Sequence, residues 1–149
     1  MPAGPDVPSP EHLKTMMRSY FHRAYTLGDA SVIDELIASD MLTHGLTPEP
    51  LTSRQEFKDW YTRFRSSFSD VTCPVTHAFV EGPWVTCRVL FSGTHTGAAL
   101  GPPPTNRKVT ITALILARVQ NGQVVEGYNE LNELSLLQQL GVIPAMPPK

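Results

Sequence analysis

The chain has 149 residues, a formal net charge of −2, 41 % apolar and 17 % charged residues, which suits one ordinary globular domain with a real core. No basic run is longer than Arg107-Lys108, so nucleic acid and an anionic membrane surface are excluded as expected partners. The apolar runs fall far short of a membrane span.

The opening Met-Pro-Ala-Gly-Pro-Asp lacks the basic and apolar regions of a signal peptide, so a cytoplasmic protein is expected. Residues 1–8 form a Pro-rich arm, 9–144 a single domain and 145–149 a tail. Ser9-Pro10-Glu11 combines an N-cap, a proline at the first helical position and an acidic first turn. Leu13, Met16, Met17, Tyr20, Phe21 and Ala24 follow at helical spacing, predicting a helix to about Leu27 that Gly28 ends. Asp29 caps a shorter helix through Val32, Ile33, Leu36 and Ile37. Met41 to His44 is a short strand. Ser53-x-x-Glu56 is a capping box. It opens a third helix whose stripe of Phe57, Trp60, Tyr61 and Phe64 is read first as core.

Asp70 to Val80 and Trp84 to Thr96 are expected as two long strands. A hairpin around Glu81-Gly82-Pro83 sets Cys87 opposite Ala78. That leaves Cys73 about 17 Å away at the strand rise, too far for a disulfide. Gly97 to Thr105, with three consecutive prolines, is an extended loop.

The last third is the most informative. Two β-rich runs flank Asn121-Gly122, the pair favoured in a type I′ turn. Centring the turn there sets Glu126 opposite Ala117, Tyr128 opposite Ile115 and Glu130 opposite Ala113. Glu126, Tyr128 and Glu130 then share one face, with Asn132 next in line. Large polar groups opposite small apolar ones line a cavity or make an ordinary solvated face. Asn132 also fits the N-cap of a last helix that Gly141 closes. Helices gathered on one side of a curled antiparallel sheet make an α+β fold with a pocket between the layers.

With these elements in place, the chain from Glu11 to Pro144 resembles the SnoaL-like polyketide cyclase branch of the nuclear transport factor 2-like superfamily. The resemblance rests on Phe57 with Phe68-Ser69-Asp70, Gly93-Thr94-His95-Thr96-Gly97, Gly101-Pro102-Pro103-Pro104-Thr105, Asn121-Gly122-x-Val124-Val125-Glu126, and Leu136-Leu137-Gln138-Gln139-Leu140-Gly141. It implies a cone-shaped barrel around one deep pocket, a homodimer, and no metal or organic cofactor. It also implies a small-molecule substrate, polyketide-like or polycyclic and oxygenated. Cyclases of the family use an Asp near the end of the last strand; matching back from Gly141 puts that position at Asn132, an amide with no proton to exchange at neutral pH.

Glu130 is therefore the first candidate acid/base, its pKa raised if it faces an apolar pocket. Tyr128 is a candidate donor to a developing oxyanion or epoxide oxygen, and His44 a second acid/base paired with Glu130. Asn132, Trp60 and Tyr20 are candidate substrate contacts. Arg88 and Glu126, two mid-strand charges, are expected to pair inside the sheet and to border the substrate. The histidines and cysteines show no metal-ligand spacing, and phosphate-loop and nucleophile-elbow motifs are absent from the sequence. Three functions follow as alternatives: cyclisation or isomerisation by acid–base catalysis, epoxide opening, and ligand binding without chemistry.

Overall fold

The helix starts are set by their caps. In the computed structural model, which describes residues 8–145, Ser9 Oγ accepts a hydrogen bond from His12 N at 3.1 Å and Pro10 opens α1, Pro10–Phe21. The Pro-rich arm (all but Pro8) and the tail after Ala145 lie outside the described residues. A π-helical turn, His22–Thr26, continues α1. The second helix, α2, is Ser31–Leu36, and it stops short of the expected end because Ile37 is already extended at φ −108°, ψ 128°. Strand β1, Ile37–His44, thus starts before Met41. Helix α3, Arg54–Ser66, has the expected box: Ser53 Oγ accepts from Glu56 N at 3.1 Å, while the Glu56 carboxylate reaches back to Thr52 N at 2.8 Å.

One long strand from Asp70 to Val80 was expected; two are present, β2, Phe68–Thr72, and β3, Val75–Glu81. Pro74 lies in the gap between them, and it has no N–H to give to a ladder. Both pair antiparallel with β4, Trp84–His95, and Cys87 stands opposite Ala78 as the turn residues dictate. Both cysteines are buried and unbridged. Then come β5, Lys108–Gln120, β6, Gln123–Leu131, and α4, Glu133–Leu140. Asn121 and Gly122 take φ of 53° and 75°, the positive values a type I′ turn needs.

The fold is α+β, with two corrections to the expected sheet. Its order is β1-β6-β5-β4-β2, with β3 also on β4. It is mixed, since β1 runs parallel to β6. It is also open, because β1 and β2 lie at opposite ends of that order and no strand pairing closes it into a barrel.

The third correction is one of register. Val119 pairs with Val124, but Arg118 already pairs with Glu126. One strand advances by one residue while the other advances by two, which leaves Val125 as an extra residue in β6: a β-bulge. Beyond it every partner is displaced by one. Glu126, Tyr128 and Glu130 stand opposite Arg118, Leu116 and Leu114, not opposite Ala117, Ile115 and Ala113, which instead face Gly127, Asn129 and Leu131. A one-residue slip exchanges the two faces of a strand, so the polar row points away from the helices.

The inner face of the sheet carries the core. Val85, Cys87, Val109 and Ala117 are essentially inaccessible and pack with Met17, Phe21, Ile33 and Phe64 from the helices. The outer face stays open: Phe79 is 67 %, Leu114 51 % and Tyr128 41 % exposed.

Candidate functional site

A cavity of about 80 Å³ lies between the inner face of the sheet and the helices. Its sheet side is Ile111, Ala113, Ile115 and Ala117 of β5 with Gly127, Asn129 and Leu131 of β6. The alternation of β5 puts small and branched side chains on this face, and the bulge turns the same face of β6 toward it. The helical side is aromatic. Phe57, Trp60 and Phe64, three or four residues apart on α3, stack in sequence with ring centroids 5.9 Å and 5.1 Å apart. Tyr20, Phe21 and Tyr25 close the far wall. The stripe on α3 that first reads as core is thus both core and pocket wall.

Tyr20 and Trp60, expected as substrate contacts, line this cavity. The other candidates do not. His44 stacks on Tyr128 at 4.7 Å with the rings nearly parallel, on the outer face. Tyr128 donates from its hydroxyl to Glu126 Oε1 at 3.1 Å, and that carboxylate holds the phenol proton on, pushing its pKa up. Glu126 pairs with Arg118, directly opposite, at 3.2 Å; the expected Glu126–Arg88 pair is not made, and Arg88 donates instead to Thr76 Oγ1 at 2.9 Å. Glu130 is exposed. With Arg88, Thr112, Leu114 and Asn132 it borders an open hollow on the outer face. The expected desolvated Glu130 beside His44 is therefore not formed. Glu130→Gln is expected to move stability by no more than about 0.5 kcal/mol. A melting experiment at neutral pH checks this, and a clear rise in Tm would return Glu130 to an apolar site and overturn the outward register.

Asn132 serves α4: its Oδ1 accepts from Ser135 N at 3.2 Å, and Gly141, at φ 76°, closes the other end. The amide in the cavity is Asn129, which sequence reasoning placed on the opposite face from the candidate site. Its Nδ2 donates to Thr43 Oγ1 and to the His44 carbonyl, both at 2.8 Å. Thr43 is fixed in turn by backbone bonds to Leu51 in both directions, at 2.9 and 3.0 Å.

Among the described residues the titratable groups lining the cavity are Tyr20, Tyr25 and Cys73, with no carboxylate, imidazole, ammonium or guanidinium. Burial pushes both phenols well above their ordinary value and the Cys73 thiol up to about 12. All three are therefore neutral at physiological pH: the Tyr25 hydroxyl gives its hydrogen bond to Tyr20, the Tyr20 hydroxyl keeps a proton to give, and the thiol is no nucleophile. Among the described residues no three His, Cys, Asp or Glu side chains gather as a metal site, and no helix is long and apolar enough to cross a membrane.

The model of the SnoaL-like polyketide cyclase family matches residues 15–140. Nogalonic acid methyl ester cyclase from Streptomyces nogalater is 28 % identical over 125 residues, spanning 79 % of this chain and 90 % of that protein. Aklanonic acid methyl ester cyclase from another Streptomyces is 27 % identical over 122 residues, 79 % of this chain and 75 % of that one. Among solved structures, TsrD from Streptomyces laurentii superposes with a TM-score of 0.82 at 22 % identity, covering 91 % of this chain and 99 % of that one, a likeness of fold. The chain belongs to the SnoaL-like polyketide cyclase family.

Proposed function

We propose that this protein takes a neutral, oxygenated, largely apolar polyketide intermediate into the central cavity and brings about its cyclisation by holding it in a ring-closing conformation. The observation that carries this reading is the lining: aromatic and aliphatic side chains, two protonated phenols and one carboxamide, with no ionised group among them. Such a wall favours an uncharged ligand, because a charge buried without a partner is strongly disfavoured. The names of the relatives, cyclases of methyl esters, support the same class.

The chemistry asked of the chain is modest. In an intramolecular aldol closure an enol carbon adds to a carbonyl carbon, the enol oxygen gives up its proton and the new alkoxide takes one, so the product is an isomer of the substrate. Holding the two carbons in contact supplies much of the barrier reduction through orientation alone. Tyr20, kept protonated by burial and accepting from the Tyr25 hydroxyl, can donate to the carbonyl oxygen as charge develops. Asn129 anchors without exchanging a proton. Epoxide opening needs an acid and a base converging on the ligand, and the cavity brings no such pair together.

The cavity is small for such a ligand. An engineered cavity of about 150 Å³ takes one benzene, so a substrate of several rings requires the wall to open. Met17 and Met41, unbranched and adaptable, line it and are suited to that movement.

The absence of an ionised group in the lining favours one other reading, a protein that binds its ligand without transforming it. Incubation with aklanonic and nogalonic acid methyl esters, followed by chromatography and mass spectrometry, separates the two. A product of unchanged mass with a new ring is expected. Quenching of Trp60 fluorescence with no product would establish the binding protein instead, and neither signal would end both readings.

A further inference from the structure

We propose that Asn129 is a one-way reader of hydrogen bonds: it accepts from the ligand and cannot donate to it, so the cavity selects molecules that carry a hydroxyl or enol at that point. Thr43 and Gly127 are the positioning residues that impose this polarity. The inference rests on the reading of the central cavity as the ligand site and adds to it a chemical requirement on the ligand.

A carboxamide has two donor hydrogens and one acceptor oxygen. Both Asn129 hydrogens are engaged within the protein, by Thr43 Oγ1 and by the His44 carbonyl, each at 2.8 Å. The carbonyl decides the orientation. A hydroxyl can give or take a hydrogen bond, but a backbone carbonyl only takes. Turning the amide over would set Oδ1 against the His44 oxygen. The nitrogen therefore stays on that side and Oδ1 on the other. Among the described residues Oδ1 has no protein donor, and Asn129 borders the cavity. Tyr20 supplies a donor for a carbonyl oxygen of a ligand; Asn129 supplies the acceptor for its hydroxyl.

Gly127 makes room for this arrangement. It pairs with Thr43 across the parallel β1–β6 ladder, and both face inward. A Cβ at position 127 would lie 2.8 Å from Thr43 Oγ1, closer than folded proteins tolerate. Thr43 is 4 % exposed and held by Leu51, so its hydroxyl would have to turn and leave Asn129. Glycine at 127 is thus explained by the hydroxyl beside it; its own φ demands nothing special, being absent from the positive-φ positions.

The test uses calorimetric titration of the full chain with two probes of nearly equal shape: 2-naphthol, which donates a hydrogen bond, and 2-fluoronaphthalene, which does not. The parent should bind 2-naphthol about tenfold more tightly, the ratio that one net hydrogen bond gives. Asn129→Leu should bind the two alike, while retaining 2-fluoronaphthalene. Gly127→Ala should lose the preference, and adding Thr43→Ala, which removes the colliding oxygen, should restore part of it; a purely structural role for Gly127 would not be rescued in ligand preference. Equal binding of both probes by the parent, or a preference that survives Asn129→Leu, overturns the proposal and leaves the cavity as the ligand site. Failure of the parent to bind either probe removes the cavity reading as well.

Discussion

Replacing Asn129 with aspartate should make the protein less stable as the pH rises, the reverse of the usual behaviour of a folded-state carboxylate. The new side chain would sit against the His44 carbonyl and the Thr43 hydroxyl in an apolar cavity. Desolvation disfavours its charge, and the His44 oxygen accepts only from its protonated form, so both effects raise its pKa. In the unfolded chain the group titrates near its ordinary value of about 3.9. Between that value and the raised folded one, the folded chain keeps a proton that the unfolded chain has released. Each step of pH upward through this window lowers stability, and the loss is complete above the folded pKa. We expect a penalty of about 3 kcal/mol against the parent in the upper part of the range, from lost hydrogen bonds and a poorly solvated charge. Urea unfolding of both proteins at pH 5 and pH 8 measures it. If the variant tracks the parent at both, position 129 is solvated and the inward register of β6 is wrong. The same carboxylate would be a general base with a pKa displaced toward neutrality, so any turnover of the methyl esters should be faster in this variant than in the parent.

The second large effect is expected at Gly45, the residue after β1. Its φ is +92°, and a Cβ there would lie 2.0 Å from the Asn129 carbonyl oxygen. An alanine must therefore adopt an unfavourable backbone and also push two paired strands apart. Strain and overlap together should cost about 3 kcal/mol, a fall in Tm of roughly 6–12 °C for a chain of this size. Gly82 provides the control: its φ is +58°, but nothing lies within 4 Å of its added Cβ, so Gly82→Ala should cost only about 1 kcal/mol. Equal losses in differential scanning calorimetry would show that the close approach of β1 to β6 is not rigid. The Gly45 substitution should also weaken ligand binding, because the His44 carbonyl that orients Asn129 belongs to the same peptide unit.

Much of this fold is legible in local chemistry. Ser9 before Pro10, Ser53 before Glu56, Asn121-Gly122 and Gly141 each act through atoms a few residues away, and each ends or starts its element where expected. The pairing of Cys87 with Ala78 follows from the turn at Glu81-Gly82-Pro83. The misplacements involve partners distant in sequence. Ile37 leaves α2 because β6 offers it a parallel ladder, about ninety residues further on, with Val124 opposite. The face of β6 was assigned by counting straight back from the turn. Val124 and Val125 are both β-branched and apolar, so nothing local tells which is the extra residue. The straight count sets Glu126, Tyr128 and Glu130 on the inner face of β6, and the bulge turns them to the outer one. Asn129, in Tyr-Asn-Glu-Leu-Asn, is inconspicuous beside two carboxylates that look more reactive. The signal that could have found it is Gly127 two residues before Asn129, which leaves room on that strand face beside a carboxamide.

The bulge at Val125 has a consequence for how pockets of this kind diversify. Drawing Val125 back into the ladder, with no residue lost, would restore the straight count, and the inward set Gly127, Asn129 and Leu131 would give way to Glu126, Tyr128 and Glu130. A change of pairing at one position outside the cavity thereby exchanges an amide for carboxylates within it, with every side chain of the row already encoded. Chemistry on such a scaffold can change by a shift in reading position along one strand, ahead of any substitution among the residues that touch the ligand.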